Sequence, residues 1–563
     1  AWTNRSQTVF MQLTYQKLKP FALSYLTAPL AVFFAGYLRA PFAVAGLAVL
    51  AFAWWYAVCK TPQVKQVGQE EQGITLSVPK LVLLFALMLL WGYLGGQTGF
   101  FYQNSDWGYR NAIYRDLITN SWPVYYPQKD TALVYYIGHW LVPAALTKPV
   151  YALFGLDAAW MFARMALWGW TALGTYLVAL NLLVYLRADT GKKQGIGLLF
   201  LIFFSGMDIL GALYSSRLPD LLAYDAMHLE WWTNDFQFSS LTTCLFWVFN
   251  QTVGAWLATV CFLQEKDCRN YLLLGTACLM CGPFPFVGLV IFMVVRGIVL
   301  LAQSQKGVLQ SAFSPANVLV LVVVLSITAS YFLANNAFGY SVLGETVAGN
   351  QAAQQTFGQN VLTSLQKGML VFYLLDAGIY LLLLWRQNRR SWLFYTCAVS
   401  LFIIPFFKVG QGCDFCMRVS IPAIFILMTL CARYFIALVG TKWRDGTLAQ
   451  HAMTILLAAT LLQPGLGVAQ KSGGGKFTLS GTVKGDGQPL VGATVVEPGT
   501  SNGTVTGADG KFSLSLSKRG ASIQVSFIGY VTKTLTANAD FLEVALDSDA
   551  QKIDEVMVVA YGT

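Results

Sequence analysis

The chain contains many apolar stretches that are long enough to cross a lipid bilayer, and these stretches limit its possible folds more than anything else. A transmembrane helix needs about 20 predominantly apolar residues. Such stretches occur near 21–38, 42–59, 81–98, 157–186, 195–214, 241–263, 316–334, 369–385, 391–407 and 419–440. A longer run, 270–303, is interrupted by Gly282-Pro283-Phe284-Pro285 and is predicted to form two helices. We therefore predict an α-helical polytopic membrane protein with about 12 transmembrane helices.

Composition agrees with this prediction and narrows the class of partner. Hydrophobic residues make up 56% of the 563 residues and charged residues only 11%, whereas a soluble globular protein has about 25% charged residues. The net charge of +10 could suggest nucleic acid binding, but the basic residues form short clusters between apolar stretches. That distribution is typical of cytoplasmic membrane loops. We predict the lipid bilayer as a partner and no nucleic acid.

The basic clusters also predict the orientation, because Lys and Arg near helix ends resist translocation. With a cytoplasmic N-terminus, almost every cluster falls on one side, provided that 131–155 crosses an even number of times or not at all. Pro143 and Pro149 divide that segment and favour two short in-plane or re-entrant helices. The predicted location is a membrane, with the N-terminus on its cytoplasmic side. The polar loops then share its extracytoplasmic face: 99–130, 215–240, 335–368 and 408–418.

The first of these loops holds candidates for catalysis. In a helix, Asp106, Tyr109 and Arg110 share one face, and Arg115 and Asp116 follow further along. A carboxylate in that setting could take a proton from a sugar hydroxyl while the arginines hold a lipid phosphate. The same spacing also suits a self-neutralising amphipathic helix that lies on the bilayer surface.

The second loop combines a histidine, an acid and aromatic residues. In an extended segment, His228 and Glu230 point the same way as potential metal or substrate ligands. Trp231 offers a stacking surface for a sugar or headgroup, and Gln237 is a further candidate for substrate binding. The alternative is an interfacial aromatic belt with solvated acids. A single H-x-E pair leaves a divalent metal ion open.

Further candidates lie in the fourth loop and inside the apolar stretches. Asp414 and Arg418 stand four residues apart, which suits either an ion pair or two substrate contacts. Polar side chains inside a bilayer are costly unless they are paired or line a cavity, although those near helix ends can reach the interface. The candidates of this kind are Asn250, Gln251, Arg164, Asp208, Arg296 and Asp376.

Most of the ten cysteines lie within apolar stretches and are predicted to be buried thiols. Cys278/Cys281 and Cys413/Cys416 both have the C-x-x-C spacing of zinc ligands, but nothing in the sequence brings the two pairs together. A local disulfide between Cys413 and Cys416 stays open.

Several runs of the helical region carry a resemblance to a bacterial family of large membrane proteins: NSDWGYRNAIYRDL with WPVYY, FFSGMDILG, HLEWWTNDFQFSS with LFWVFNQ, and CDFCMRVSIPA. Their layout is similar to that of the GT-C glycosyltransferases. The resemblance implies a polyprenyl-phosphate sugar as donor, and a carboxylate of the first loop as base or metal ligand. By position this is Asp106, with Asp116 second. The adjacent acid pairs of several GT-C members are absent from these runs, so metal dependence stays open. The alternative function is a transporter or lipid flippase that uses the intramembrane polar residues.

The character of the sequence changes after the predicted membrane domain 1–445. Residues 453–470 resemble a signal peptide or an extra transmembrane segment, and a Gly-rich linker follows. Residues 476–547 show the alternation of a small all-β sandwich, antiparallel in its strands. Their runs GTVKGDGQPLVGATV, TGADGKFSLSL and VSFIGYVTKTL resemble the carboxypeptidase-regulatory-like domain of SusC-like TonB-dependent receptors.

The last residues, 552–563, resemble the TonB box of those receptors, which implies TonB as a partner of 554–559. The β-domain is predicted to be a non-catalytic periplasmic module. A signal-like segment inside the chain indicates fragments of two genes joined together; a natural fusion with an additional membrane helix is the alternative.

Overall fold

A computed structural model gives the structure of this protein. The residues that it describes are 9–60, 73–101, 103, 106–127, 130–216, 229–233, 235–304, 306–334, 357–407, 413–440, 451, 454–455, 477–497, 503–507, 509–516, 520–527 and 530–548. The chain divides into two compact units, which we call the helical unit, mainly within 1–468, and the β unit, mainly within 469–562. Nearly all of the predicted signal-like segment 453–470 and the whole of the predicted tail 552–563 lie outside the described residues.

The helical unit is built almost entirely from apolar helices. These are α1 Tyr15–Tyr37, α2 Ala40–Cys59, α3 Val78–Leu94, α4 Trp107–Thr119, α5 Gly138–Tyr185, α6 Gly191–Phe203, α7 Asp208–Tyr214, α8 Leu241–Gln264, α9 Tyr271–Cys281, α10 Pro283–Ala302, α11 Val308–Leu333, α12 Phe357–Gln366, α13 Met369–Asn388, α14 Trp392–Phe406, α15 Asp414–Val419 and α16 Ile421–Leu438. Two short antiparallel strand pairs accompany them, β1 Phe10–Leu13 with β2 Ile74–Ser77, and β3 Tyr125–Tyr126 with β4 Thr131–Ala132.

Eight helices in the described part of the chain are long and apolar enough to cross a membrane, namely α1, α2, α5, α8, α10, α11, α13 and α16. A ninth candidate arises if α6 and α7, which are bent by 40° relative to each other, count as one span. The predicted count of about 12 is therefore not confirmed. The difference comes mainly from α3, α9 and α14, which are apolar but only 10–17 residues long. The apolar helices make this a membrane-associated protein.

Helix α5 lies at the centre of the helical unit, where it packs against α1, α3, α4 and α8. The sequence predicts a division at Pro143 and Pro149, but the helix continues through both prolines. Its non-helical residue is Gly155, with φ 76° and ψ −175°. Only glycine adopts this conformation without a steric penalty, so the break falls at Gly155 and the two prolines lie within the first part of the helix.

A buried ion pair joins the beginning of α1 to the end of α8. The Nζ atom of Lys19 lies 2.8 Å from Oε1 of Glu265, and both side chains are almost fully buried. The Tyr15 hydroxyl donates to the same Glu265 oxygen at 2.6 Å, and the Asn270 amide donates to the other oxygen at 2.9 Å. Because a buried charge is tolerated only when it is paired and hydrogen-bonded, this arrangement fixes how the two helices meet.

The β unit contains two four-stranded sheets. One sheet has the order β11-β10-β7-β8, formed by Lys533–Thr536, Ser522–Ser526, Thr494–Val496 and Gly503–Val505. The other has the order β12-β5-β6, with β9 also on β5, formed by Phe541–Leu546, Phe477–Gly485, Gln488–Pro489 and Lys511–Leu516. The prediction of antiparallel strands is wrong for one pair, because β12 runs parallel to β5. The first and last strands of the β unit, β5 and β12, therefore pair side by side and are not joined by a hairpin.

Both sheets contribute to one apolar core. Ile523 and Val525 alternate with more exposed residues on β10, and Phe512, Leu514 and Leu516 do the same on β9. This alternation buries one face of each strand. The β unit consequently has a core of its own, as its sequence pattern predicts.

Candidate functional site

The predicted pair on the first loop forms at the start of α4. The Arg110 Nη2 atom donates to Oδ2 of Asp106 at 2.7 Å, at the i,i+4 spacing. Arg110 is buried, whereas Tyr109 is 59% exposed. The structure therefore keeps Asp106 and Arg110 together and turns Tyr109 away from the buried face.

A second pair of the same kind forms on α15. Arg418 Nη2 lies 3.1 Å from Oδ2 of Asp414, again at the i,i+4 spacing. Nη1 of the same guanidinium donates to the Tyr136 hydroxyl at 2.8 Å, and Tyr135 donates its hydroxyl proton to Tyr136 at 2.5 Å. The two tyrosine rings lie 3.7 Å apart. The fourth loop thus reaches the segment that precedes α5.

The two ion pairs lie in one electrostatic neighbourhood. Burial lowers the pKa of the Arg110 guanidinium, Asp106 opposes this, and Arg418 adds to the decrease. Burial also raises the pKa of the Asp414 carboxyl, Arg418 opposes this, and Asp106 adds to the increase. We call the six residues the arginine–tyrosine cluster: Asp106, Arg110, Tyr135, Tyr136, Asp414 and Arg418.

Two guanidinium atoms of the cluster have hydrogen-bonding capacity left over. Arg110 Nη1 and Arg418 Nε are buried and have no hydrogen-bond partner among the described residues. A buried cationic donor without a partner is costly, and an anionic oxygen that met it would remove that cost. Each arginine of the cluster could therefore donate one further hydrogen bond to an anionic oxygen.

A break in α8 shapes the aromatic side of the cluster. Val248 is non-helical, with φ −135° and ψ 36°, and the Thr252 hydroxyl contacts the freed carbonyl oxygens of Cys244 and Val248 at 3.1 and 2.9 Å. Phe249 follows the break and stacks on Trp107 with ring centroids 5.0 Å apart. The Arg110 guanidinium lies 5.9 Å from the centre of the Phe249 ring, within the range of a cation–π contact.

The other predicted residues of α8 are fully buried. Asn250 and Gln251 are only 2% and 1% exposed. A Cβ atom on Gly282 would lie 2.9 Å from Oε1 of Gln251, so this amide fits because position 282 is glycine. Both predicted residues lie in the packed interior between helices.

The second loop is folded differently from the predicted extended segment. Leu229–Trp231 form a 3₁₀ turn, and Glu230 accepts hydrogen bonds from the Ser240 backbone and from Gln237 Nε2, both at 3.0 Å. Because Ser240 is the N-cap of α8, Glu230 fixes the approach to that helix. Trp231 keeps an exposed ring face. His228 lies outside the described residues.

A cysteine links the second loop to the fourth. The Cys413 thiol donates to Oε1 of Gln237 at 3.2 Å, and burial raises its pKa to about 11. All ten cysteines are free thiols, so the disulfide between Cys413 and Cys416 does not form. The hydrogen bond to Gln237 gives Cys413 a different partner from the one that the sequence suggested.

The structure places Asp116 and Arg115 apart from Asp106. Asp116 follows Asp106 by ten positions, which correspond to about 15 Å along a helix axis. Asp116 accepts a hydrogen bond from the Tyr126 hydroxyl at 2.7 Å, and the Arg115 side chain, 57% exposed, lies 4.0 Å away. The contacts described for Asp116 and Arg115 therefore involve only the C-terminal half of α4 and strand β3.

Sequence reasoning missed Tyr135 and Tyr136. They stand directly before an apolar run, a position that suggests residues at the membrane interface. Only the contact between Tyr136 and Arg418 shows that they belong to the cluster. The signal in the sequence was the pair of adjacent tyrosines in 131–155, a segment whose membrane crossing the sequence leaves open. It could not identify a partner 282 positions away in the chain.

Two further carboxylates, Asp208 and Asp376, are buried near the second loop. Asp208 Oδ2 accepts a hydrogen bond from Ser205 at 2.7 Å, while its Oδ1 has no partner among the described residues. Within the same described part, neither oxygen of Asp376 has a hydrogen-bond partner at normal distance, although the Trp232 indole lies beside it. A Cβ atom on Gly206 would approach the Asp376 carboxyl within 2.9 Å.

The described residues contain no group of three or more His, Cys, Asp or Glu side chains that could hold a metal ion. The described residues therefore do not fit the divalent metal that the GT-C resemblance leaves open.

Comparison with known proteins identifies relatives for the C-terminal part. Residues 479–558 match the CarboxypepD_reg-like domain family. The chain is 46% identical over 88 residues to TonB-dependent receptor SusC of Bacteroides thetaiotaomicron, a match that covers 16% of this chain and 9% of the relative. It is 37% identical over 86 residues to TonB-dependent receptor P39 of Formosa agariphila, covering 15% of this chain and 8% of the relative. The similarity to these receptors is confirmed for this short region, and the chain spans less than a tenth of their length.

Proposed function

We propose that residues 1–445 form a GT-C-like membrane glycosyltransferase, which transfers a sugar from a polyprenyl-phosphate donor to an extracytoplasmic acceptor. The supporting observation is the arginine–tyrosine cluster, where Asp106 pairs with buried Arg110, Asp414 pairs with buried Arg418, and each arginine has an unused donor atom. Transfer requires a base near a hydroxyl group and cations near a phosphate, and the cluster contains both. The chain is placed in a bacterial inner membrane with its N-terminus in the cytoplasm, in keeping with its basic loops.

In the proposed reaction, an acceptor hydroxyl oxygen attacks the anomeric carbon of the donor sugar. The bond between that carbon and the phosphate oxygen breaks, and Asp106 takes the hydroxyl proton. The electron pair of the broken bond stays on the polyprenyl phosphate, whose negative charge is stabilised by Arg110 and Arg418. Arg418 takes the role that the sequence suggested for Arg115, because Arg115 is largely exposed and distant from Asp106. Trp231 offers its exposed ring to the donor or acceptor.

Asp106→Asn in the purified protein tests this proposal. Loss of a general base lowers a rate by about 10²–10⁴-fold, so transfer from a defined polyprenyl-phosphate sugar should fall by that factor. Asp116→Asn is the matched control, because it changes a carboxylate of the same helix that contacts Tyr126 instead of the cluster. Unchanged transfer in Asp106→Asn, or an equal loss in both variants, would exclude Asp106 as the base.

A transporter or lipid flippase is the second candidate function. The observation that favours it is the burial of Asp208 and Asp376 with oxygens that lack partners in the described part of the chain, since such carboxylates mark ion or proton pathways in membrane proteins. Counterflow of labelled substrate in proteoliposomes would distinguish the two functions. Exchange without a covalent product, abolished by Asp376→Asn and retained in Asp106→Asn, would support transport.

For the C-terminal part we propose a non-catalytic periplasmic module at 476–547. Its similarity to the TonB-dependent receptors suggests that TonB contacts the tail near 554–559 by strand addition, in which main-chain hydrogen bonds supply the affinity. The signal-like segment 453–470 inside the chain supports a chain composed of two gene fragments. Sequencing the genomic locus across 445–475 tests that composition: one uninterrupted reading frame would contradict it.

A further inference from the structure

Arg164 on α5 carries a charge for which the described residues supply no carboxylate. Its guanidinium lies over the Trp160 ring, with Cζ 5.3 Å from the ring centre. Its Nε atom is buried and has no hydrogen-bond partner in the described part of the chain. Arg110 and Arg418 differ in this respect, because each is paired with an aspartate. A cation on an apolar helix is costly unless an anion meets it or it reaches an interface.

The backbone of the first loop holds the Arg164 guanidinium in place. Gly99 has φ 71°, and a Cβ atom at this position would lie 2.9 Å from Cζ of Arg164. Only glycine combines this φ with such a close approach. The guanidinium thus lies against both the Trp160 ring and the chain at Gly99.

The surface around Arg164 is apolar. Met161 and Phe162 on the same helix turn are 49% and 41% exposed, and Phe100 beside Gly99 is 58% exposed. Leu153 and Phe154, which precede the break at Gly155, are 74% and 70% exposed. A large exposed apolar surface next to a single cation matches a molecule with an anionic head and an apolar chain.

We propose that Arg164, with Trp160 and Gly99, forms a binding site for the phosphate of a lipid. The phosphate would accept hydrogen bonds from the guanidinium, and the lipid chain would cover the apolar side chains near Arg164. Both a phospholipid and a polyprenyl phosphate have this chemistry. The site does not depend on the transferase proposal, because it is measured by binding alone.

The experiment uses the full chain purified in detergent and measures retained lipid by native mass spectrometry. The probes are undecaprenyl phosphate, undecaprenol and phosphatidylglycerol. The variants are Arg164→Gln and Arg164→Lys, with Arg296→Gln as matched control. Arg296 also lies on an apolar helix over a tryptophan, with Cζ 5.2 Å from the Trp392 ring centre.

We expect Arg164→Gln to weaken binding of a phosphate lipid about tenfold, the effect of losing one charge-assisted contact. Arg164→Lys should weaken it less, because the charge remains but the planar donor pair is lost. Arg296→Gln should leave the binding of phosphate lipids unchanged. Undecaprenol should bind weakly to the unaltered protein and to every variant. A selective loss with undecaprenyl phosphate would identify a polyprenyl site, and a selective loss with phosphatidylglycerol would identify a bilayer lipid site. Equal binding of undecaprenol and its phosphate, or equal losses in Arg164→Gln and Arg296→Gln, would overturn the proposal.

Discussion

In the β unit, Val483, Val495 and their apolar neighbours fill the interior, and most of the described charged side chains are exposed. In the helical unit, Lys19, Asp208 and Asp376 lie inside, while long apolar side chains cover much of the outside. The same physical chemistry produces both arrangements, because each unit directs its outer surface toward a different solvent. Buried charge in the helical unit therefore requires a specific explanation.

The largest expected difference concerns folding in water. Residues 471–563 expressed alone should give a folded β spectrum in the far ultraviolet and a cooperative thermal transition, because the β unit has its own core. Residues 1–445 should remain soluble only in detergent or lipid. A β fragment with an unfolded spectrum, or with hydrolase activity, would contradict the reading of it as an independent, non-catalytic module.

The next effect concerns the buried ion pair of the helical unit. Lys19→Met leaves Glu265 buried without its cation and should lower the free energy of unfolding by about 3–5 kcal/mol. Lys193→Met provides the control, because its partner Asp189 is 60% exposed and such a pair contributes about 0–1 kcal/mol. Thermal unfolding in detergent measures both. Similar losses in the two variants would show that the Lys19–Glu265 pair contributes no more than a surface pair.

A smaller effect tests the outer surfaces directly. Val322 on α11 is 63% exposed and Val505 on β8 is 61% exposed, so the two valines differ mainly in the expected solvent. Val322→Lys should cost about 2.5–3.5 kcal/mol of stability in a bilayer, the value for a charge near the centre of a transmembrane helix. Val505→Lys should change the stability of the β unit by about 0.5 kcal/mol or less. If Val322→Lys were equally harmless in proteoliposomes, α11 would not face lipid.

The smallest effect concerns reactivity instead of stability. With a pKa near 11, Cys413 is almost entirely protonated at pH 8, and its alkylation rate should rise about tenfold per pH unit until the pH passes that value. Burial disfavours the charged thiolate and therefore raises the pKa, so the reactive thiolate becomes common only at high pH. Mass spectrometry of the alkylated peptide measures the rate. Gln237→Leu removes the hydrogen-bond acceptor and tests the contact, and a rate that plateaus below pH 9 would contradict the predicted burial of Cys413.

The sequence predicts local features of this fold well. The i,i+4 spacing of Asp106 with Arg110 and of Asp414 with Arg418 predicts the two ion pairs, since four residues place side chains on one helix face. The alternation around Ile523 likewise predicts a strand with one buried face. The confirmed similarity to the receptors covers the C-terminal part of the chain, where this strand pattern occurs.

Contacts between distant parts of the chain could not be predicted in the same way. Nothing in the spacing indicates that the pairs at Asp106 and Asp414 share a neighbourhood, or that Tyr136 lies against Arg418. The break at Gly155 was missed because glycine breaks a helix only where the packing demands its conformation, while the prolines nearby are stronger local signals. The catalytic roles of these residues remain predictions.

The parallel pairing of β12 with β5 has a mechanical consequence. The first and last strands of the β unit run side by side from Phe541↔Ser480 to Leu546↔Gly485, so the chain enters and leaves at opposite ends of this ladder. A pulling force transmitted through the two ends would load all of these hydrogen bonds in shear at once, instead of opening them one after another. We therefore expect high resistance to stretching when residues 471–563 are pulled from their ends with an optical trap. Rupture at a force no higher than that of a peeled hairpin would contradict this expectation.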